Sequence, residues 1–416
     1  MDYKKFIYVT TLTTPFLFFS ILSILGLQYK GVENGLTYWI FSAFISCIAY
    51  FVIFITVIKK RFVSFTDIIL YLVPIFFLLN YFNTGNFSGL AFQSSIIFTI
   101  FVLPACYIGI ELGRKKALNN YAFSFLLVGL IVSIGILFTI PALLNSDLNE
   151  LSEIFAGGHY QALSYFSSLS FLITSIYFFF YLNRHNSIMI IFFVALFFGQ
   201  IVTILLSGGR GGLVVIFTGL LSILYLKTNK KSFFPYLIAS SIFLYISATL
   251  LFNFSIGQND RLLEGAMRTV SYIDSGGINF NASSNRDIYY AQAIEYIKDS
   301  PLIGYGIFTM YDNSPPPYFG LPGMYYPHNL FLEILIHGGF LYLFFWILTL
   351  SYFFIKLNRI LTTDISQVIL LAPFIYSFVL LMFSGTYLQE AFFWFSLFYV
   401  FAYPLNSNRS DSLKNE

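Results

Sequence analysis

One short segment of the chain groups residue types that bind anions. Ser207 to Gly212 reads Ser-Gly-Gly-Arg-Gly-Gly between two apolar runs. Glycines let a backbone approach a ligand closely, a following helix directs free N–H groups at it, and Arg210 adds a permanent charge. The segment therefore predicts an anion site with Arg210 as its cation and with Gly209 and Gly211 in support. A tight turn whose arginine reaches the membrane surface is the alternative.

A second arginine stands at the start of a predicted helix. Ser284 and Asp287 form an S-x-x-D capping pattern, and apolar residues then recur every three positions until Pro301. Arg286 would lie in the first turn, where its charge adds to the positive end of the helix and favours an anionic ligand. An ion pair of Arg286 with Asp287 or Glu264 is the alternative. The recurring apolar residues are Ile288, Ala291, Ile294 and Ile297.

A histidine stands where the chain enters a later apolar run. His328 is one of four histidines and is followed by Asn329, a residue suited to cap a helix, with Glu333 one turn further on. Imidazole exchanges protons near neutral pH, so His328 is a candidate general base. An interfacial histidine that only anchors the helix end is the alternative.

The composition predicts that these residues work at a membrane. Of 416 residues, 58% are hydrophobic and only 10% are charged, whereas soluble domains carry about a quarter charged residues. The net charge of +3 is too small and too evenly spread to predict nucleic-acid binding. Cys47 and Cys106 have no neighbouring His or Cys, so neither a metal site nor a cofactor is expected.

Apolar runs predict an all-α integral membrane protein with about twelve spanning helices, because each run approaches the roughly 20 residues that a span requires. Between the runs, 16 of the 22 Lys and Arg residues fall on one side of the membrane, which the positive-inside rule makes the cytoplasmic side, together with both termini. The predicted spans are approximately 6–27, 37–58, 62–82, 89–112, 121–144, 161–182, 187–206, 211–226, 233–254, 329–355, 366–387 and 391–405.

The spans divide the chain into four parts. Residues 1–254 hold the first nine helices, 255–328 form a long outer loop, 329–405 hold three more helices and 406–416 form a cytoplasmic tail. The loop has 74 residues, and connections beyond about 15 residues are usually functional or disordered. Its capped helix favours a functional loop.

In this order, the motifs resemble the O-antigen ligase and polymerase superfamily. The likeness covers roughly Gln200 to Leu343. Where members of the family often carry an acidic residue shortly before the last glycine motif, this chain has His337, so that position receives no role. The motifs that carry the likeness are Ser207 to Gly212, Asn285-Arg286, Tyr289, Ala293, Pro301 to Gly306, His328 to Glu333 and Gly338-Gly339.

The resemblance implies a C-type glycosyltransferase-like membrane fold in the bacterial inner membrane. The implied donor is an undecaprenyl-diphosphate-linked oligosaccharide, the acceptor is another glycan, and a chain-length regulator is a candidate partner. Arg210 and Arg286 would hold the diphosphate, and His328 would be the catalytic base. No metal is required, because the two arginines can neutralise the leaving group.

Three functions remain open. A polymerase of lipid-linked repeat units is preferred over a ligase that transfers finished polysaccharide to lipid A-core, and the two look alike in sequence. A glycan-lipid flippase or other transporter would also have about twelve helices. It would be expected to carry charges inside its spans, and only Asp67, Glu111 and Glu333, all near span ends, meet that description.

Overall fold

The computed structural model describes residues 3–25, 32–58, 65–83, 89–145, 160–182, 187–207, 210–227, 286–307 and 326–405. All regular secondary structure in these ranges is helical. The α-helices are α1 Tyr3–Ile24, α2 Val32–Ile58, α3 Phe65–Asn83, α4 Gly89–Ile97, α5 Leu103–Arg114, α6 Ala122–Asn145, α7 Tyr160–Ile176, α8 Ser187–Ser207, α9 Arg210–Lys227, α10 Arg286–Asp299, α11 Leu330–Thr363, α12 Leu371–Phe383 and α13 Ala391–Ala402.

Short irregular helices join several of these elements. A π-helical turn at Phe98–Val102 connects α4 to α5, and another at Tyr177–Tyr181 extends α7. Turns of 3-10 helix at Leu118–Tyr121 and Ile365–Leu370 lead into α6 and α12. All four turns lengthen apolar helices into membrane-sized units, as in Ser94–Arg114, Leu118–Ile140 and Ile365–Phe383.

The protein is an all-α, multi-pass integral membrane protein. Within the described ranges, eight helices are long and apolar enough to cross a membrane, and three shorter apolar helices accompany them. These eleven helices fall on eleven of the predicted spans. The predicted span 233–254 and most of the predicted loop 255–328 lie outside the described residues.

The two ends of the bundle can be told apart from long-range contacts. Lys4 at the start of α1 donates to Glu111 near the end of α5. The Gln367 amide, just beyond the end of α11, donates to the carbonyl of Lys116 at 3.2 Å. The end of α11 therefore lies at the end of the bundle that holds Lys4, and its start, next to His328, lies at the opposite one. We call these the Lys4 end and the His328 end.

Close backbone packing joins α5 to α13. A Cβ atom on Gly109 would lie 2.5 Å from the carbonyl oxygen of Phe395, and one on Gly113 would lie 2.3 Å from that of Tyr399. This G-x-x-x-G spacing places both glycines on one helix face, where small residues let two membrane helices approach. The contact fixes α13, and with it the turn that precedes α13.

Helix α11 is interrupted, whereas the sequence predicted one continuous span over 329–355. Gly338 and Gly339 have non-helical backbone angles inside Leu330–Thr363. The part from Phe340 onward would be about 36 Å long at 1.5 Å per residue, which is enough to cross a bilayer by itself. Leu330 to His337 form a short, largely buried helix before the break. His328 thus precedes a short helix packed inside the protein.

Candidate functional site

The start of α11 is capped as the sequence predicts. The Asn329 side-chain oxygen accepts hydrogen bonds from the backbone N–H groups of Phe331 at 3.0 Å and Leu332 at 3.2 Å. Asn329 itself is extended, which is typical of an N-cap residue. The cap fixes the direction in which the chain enters the helix, and therefore the place of His328 just before it.

His328 is held in a definite orientation. Its Nδ1 lies 3.2 Å from the carbonyl oxygen of Ser384, and because a carbonyl can only accept, Nδ1 carries the proton when the ring is neutral. The lone pair then lies on Nε2, the nitrogen that can act as a base. The backbone φ of His328 is +52°, a left-handed conformation that is uncommon outside glycine. The surrounding contacts therefore hold a strained residue.

Tyr326 supports the histidine from the side. Its hydroxyl donates to the same Ser384 carbonyl at 2.7 Å, and its ring meets the imidazole edge-on with centroids 4.5 Å apart. Burial, and then the nearby Glu333, raise the pKa of the Tyr326 hydroxyl, so the hydroxyl keeps its proton and stays a donor at neutral pH.

The turn between α12 and α13 supplies the contacts that hold His328, and this turn was not predicted from the sequence. The span predicted at 366–387 placed Ser384 and Thr386 inside a helix, but α12 ends at Phe383. The turn runs from Ser384 to Glu390, and we call it the 384–390 turn. Its polar residues, in the sequences Ser-Gly-Thr and Gln-Glu around a Tyr-Leu pair, interrupt an apolar stretch. This interruption is the sequence feature from which the turn could have been predicted.

The 384–390 turn binds α11 at two further points. The Thr386 hydroxyl donates to Glu333, and the Tyr387 hydroxyl contacts His337 Nδ1 at 2.7 Å. The turn is itself tied to α13, because the Trp394 indole N–H donates to the Tyr387 carbonyl at 2.6 Å. The packing of α13 on α5 thereby fixes the turn that holds His328.

Two buried polar atoms of this site have no hydrogen-bond partner among the described residues. Glu333 is 1% exposed and His337 is 2% exposed, yet Glu333 Oε2 and His337 Nε2 are unpaired. The two residues are four apart, so they lie on one face of the short helix Leu330 to His337. Unpaired buried polar atoms are uncommon in proteins and mark places where water or a ligand binds.

The predicted anion segment begins a helix as expected. Helix α9 starts at Arg210, while Gly209 and the Arg210 side chain lie outside the described residues. A Cβ on Gly211 would lie 2.0 Å from the Tyr165 hydroxyl, and one on Gly212 would lie 2.2 Å from Ser164 Oγ. These two glycines let α9 pack tightly on α7. The anion-binding roles of Arg210, Gly209 and Gly211 stay predictions.

The predicted loop helix is present as α10 and begins at Arg286, whose side chain lies outside the described residues together with Ser284. Its buried face differs from the predicted one. Ala291 and Ile294 are exposed, whereas Ala293 is fully buried against Ile336 of α11. A spacing of three falls short of the helical repeat of 3.6 residues and drifts around the helix. Tyr290, Ala293 and Ile297 follow that repeat and form the packed face.

The site brings together an oriented imidazole, a strained backbone and buried polar atoms within one small region. Such a region can remove a proton from a hydroxyl group held near His328 Nε2. Within the described ranges, no three His, Cys, Asp or Glu side chains are close enough together to hold a metal ion.

Part of the chain is similar to a known family. Residues 193–347 match the model of the family described as O-antigen ligase. This segment is similar to that family. It spans less than half of the chain and includes Arg210, Arg286 and His328, whereas the 384–390 turn lies beyond it. No curated protein and no solved structure matches the chain. The O-antigen ligase match supports glycan processing of the ligase or polymerase type by a glycosyltransferase-like enzyme.

Proposed function

We propose that this protein polymerises undecaprenyl-diphosphate-linked glycan repeat units by glycosyl transfer at the outer face of the bacterial inner membrane. The observation that carries the proposal is the geometry of His328, whose Nδ1 contacts the Ser384 carbonyl inside the segment that matches the O-antigen ligase family. A base with a fixed tautomer is what the activation of an acceptor hydroxyl requires.

The proposed reaction exchanges one glycosidic bond for another. The acceptor hydroxyl gives its proton to His328 Nε2 and its oxygen bonds to the anomeric carbon of the donor. The bond from that carbon to the phosphate oxygen breaks, and undecaprenyl diphosphate leaves with the electron pair. Arg210 and Arg286, at the starts of α9 and α10, would stabilise the charge of the leaving diphosphate together with the helix N-termini. The imidazolium then releases its proton to water.

A ligase is the second candidate, because the matching family model is described as O-antigen ligase. A ligase would use the same base and the same leaving group, and only its acceptor, lipid A-core, would differ. The polymerase is preferred because the sequence likeness is confined to the motifs that both enzymes share, and because the atypical composition, 21% aromatic, suits a rapidly diverging gene of a glycan locus. The alternating basic residues favour cytoplasmic termini and an outward-facing loop 255–328 in either case.

The experiment is deletion of the gene followed by gel analysis of the cell's lipopolysaccharide. Loss of a polymerase should leave core that carries a single repeat unit. Loss of a ligase should leave bare core while lipid-linked polymer accumulates, and loss of a flippase should leave bare core without outward-facing polymer. Complementation with the wild-type gene is the control. An unchanged lipopolysaccharide ladder would contradict both enzymatic proposals.

A further inference from the structure

The break in α11 is closed by another part of the chain. A helix that stops leaves carbonyl and N–H groups without partners, and here the segment Pro301 to Gly306 supplies them. We call this segment the 301–306 turn. Four main-chain hydrogen bonds join the two: Tyr305 N to Ile336 O at 2.8 Å, Gly306 N to His337 O at 2.7 Å, Phe340 N to Pro301 O at 2.7 Å and Leu341 N to Leu302 O at 3.2 Å.

Two glycines make this close pairing possible. Gly304 has a φ of +61°, and a Cβ on it would lie 2.5 Å from both Gly338 N and Ile336 O. Gly339 has a φ of +63°, and its Cβ would lie 2.3 Å from the carbonyl carbon of Leu302. Because the obstructing atoms are backbone atoms, they cannot move aside as a flexible side chain would. Any residue larger than glycine at either position separates the 301–306 turn from the break.

The 301–306 turn is continuous with α10. Ser300 follows the helix directly, its hydroxyl donates to the Gly304 carbonyl at 2.9 Å, and its own carbonyl accepts from the Gly304 N–H at 3.1 Å. These two bonds close the turn on the end of α10. A displacement of the turn therefore displaces the helix.

Two contacts hold α10 against α11. Pro301, just after α10, pairs with Phe340, and Ala293 in the middle of α10 packs on Ile336. Arg286 precedes Ala293 by seven residues, which is about 10 Å of helix. The docking of Ala293 and of the 301–306 turn on α11 therefore fixes where α10 begins relative to α11.

We propose that the pairing of the 301–306 turn with the Gly338-Gly339 break sets the position of Arg286 relative to His328, so that Gly304 and Gly339 are positioning residues for the donor diphosphate. The inference rests on the proposed function for the role of Arg286. A rigid main-chain pairing suits this task, because misplacing a reacting or binding group by about 1 Å can cost about 10²-fold in rate.

The first test is amide hydrogen exchange in detergent micelles. Gly304→Ala should accelerate exchange at Tyr305, Gly306, Phe340 and Leu341, whose N–H groups make the four bonds, while peptides from α5 and α13 keep wild-type rates. Gly199→Ala, a helical glycine that would contact only the end of the Leu137 side chain at 3.1 Å, is the matched control and should leave all of these rates unchanged. Wild-type exchange in Gly304→Ala would overturn the docking.

The second test is binding of undecaprenyl diphosphate, which contains the leaving group without any sugar. Gly304→Ala should weaken binding about 10- to 100-fold, the loss expected for one charge-assisted contact. Arg286→Ala should do the same, and the double variant should be no weaker than Arg286→Ala alone, because both changes remove one interaction. If Gly304→Ala weakened binding only by destabilising the fold, its effect on binding would instead add to that of Arg286→Ala.

The outcomes separate the two proposals. If the wild-type protein does not bind undecaprenyl diphosphate, the proposed function fails. If it binds and Gly304→Ala binds equally well, or if the losses in the double variant add, the positioning role of Gly304 is overturned while the proposed function stands.

Discussion

Two buried glutamates at opposite ends of the bundle have opposite surroundings. At the Lys4 end, Glu111 is 2% exposed and accepts hydrogen bonds from Lys4 Nζ at 2.5 Å, Lys115 Nζ at 2.7 Å and the Tyr8 hydroxyl. At the His328 end, Glu333 is 1% exposed, but only one of its oxygens has a partner among the described residues. Two carboxylates that are almost equally buried thus differ in how many of their oxygens accept hydrogen bonds.

The difference separates a fully compensated cluster from an incompletely compensated one. Burying a charge is unfavourable unless cations and hydrogen bonds compensate it. Around Glu111 the compensation is complete and ties α1 to α5, so that cluster can be explained by stability alone. Around Glu333 and His337 it is incomplete, which stability does not explain. Polar groups kept in this condition are typical of sites that bind water or ligands.

Backbone strain does not separate the two ends in this way. In the described ranges, each end has one non-glycine residue with positive φ, His328 at one end and Lys116 at the other. The glycines with positive φ, Gly304, Gly306 and Gly339, lie in the paired segments of the α11 break, and glycine adopts this conformation without strain. The division between the two ends therefore rests on the hydrogen bonding of their glutamates.

The largest expected effect comes from removing the base. His328→Ala should lower transfer by about 10² to 10⁴, while binding of undecaprenyl diphosphate and the melting temperature stay near wild type. The measurement is turnover of purified lipid-linked glycan in a reconstituted assay, with His185→Ala and His159→Ala as controls that should be mild. Near-wild-type turnover by His328→Ala would contradict the base assignment. The His328 end of the bundle would then lose its proposed catalytic role.

The proposed arginines should give the next largest effect. Arg210→Ala and Arg286→Ala should each remove a charge-assisted contact worth about 1.5 to 3 kcal/mol, seen as weaker binding of undecaprenyl diphosphate. Lysine at either position should restore binding only in part, because it lacks the planar fork of the guanidinium group. If both alanine variants bind as the wild type does, the diphosphate does not bind at the starts of α9 and α10.

The sequence predicted the helices well and the site only in part, for a physical reason. A membrane span has a strong one-dimensional signal, so eleven of the predicted spans coincide with the eleven apolar helices of the described ranges, although α11 is broken and α12 ends earlier than predicted. The cap at Asn329 and the helix starts at Arg210 and Arg286 are also local patterns. The carbonyl of Ser384 that orients His328 is 56 residues away in the chain. Because every residue has a backbone carbonyl, residue types do not show which one contacts His328.

The pairing of the 301–306 turn with the α11 break was hidden for the same reason. The sequence shows glycines at positions 304 and 339. It does not show that backbone atoms of the other segment occupy the space where a side chain would stand at each position. Spacing within a single segment also gave a wrong prediction at α10. There, a repeat of three residues predicted that Ala291 and Ile294 are buried, whereas Ala293 is the buried residue. Long-range pairing decided which face is buried.

The comparison of the two glutamates predicts different costs for the same substitution. Glu111→Gln leaves Lys4 and Lys115 without their carboxylate. Since their side chains are 21% and 47% exposed, water compensates in part, and the expected loss is about 1 to 3 kcal/mol. Glu333→Gln keeps the acceptor of the Thr386 hydroxyl and should stay within about 1 kcal/mol of wild type. Thermal unfolding in detergent micelles measures both, and equal losses would contradict the division between the two clusters.

The smallest expected effect separates the two lysines of the cluster around Glu111. Lys115 pairs with Glu111 one helical turn away and is nearly half exposed, so Lys115→Ala should cost no more than about 0.5 kcal/mol. Lys4 is less exposed and also donates to Thr56 at 2.9 Å, so it joins three helices through two bonds, and Lys4→Ala should cost about 1 to 2 kcal/mol. In a Glu111→Gln background, both alanine changes should become milder, because the negative charge that the two lysines share is already gone. Unchanged losses in that background would mean that the lysines stabilise the protein through contacts other than Glu111.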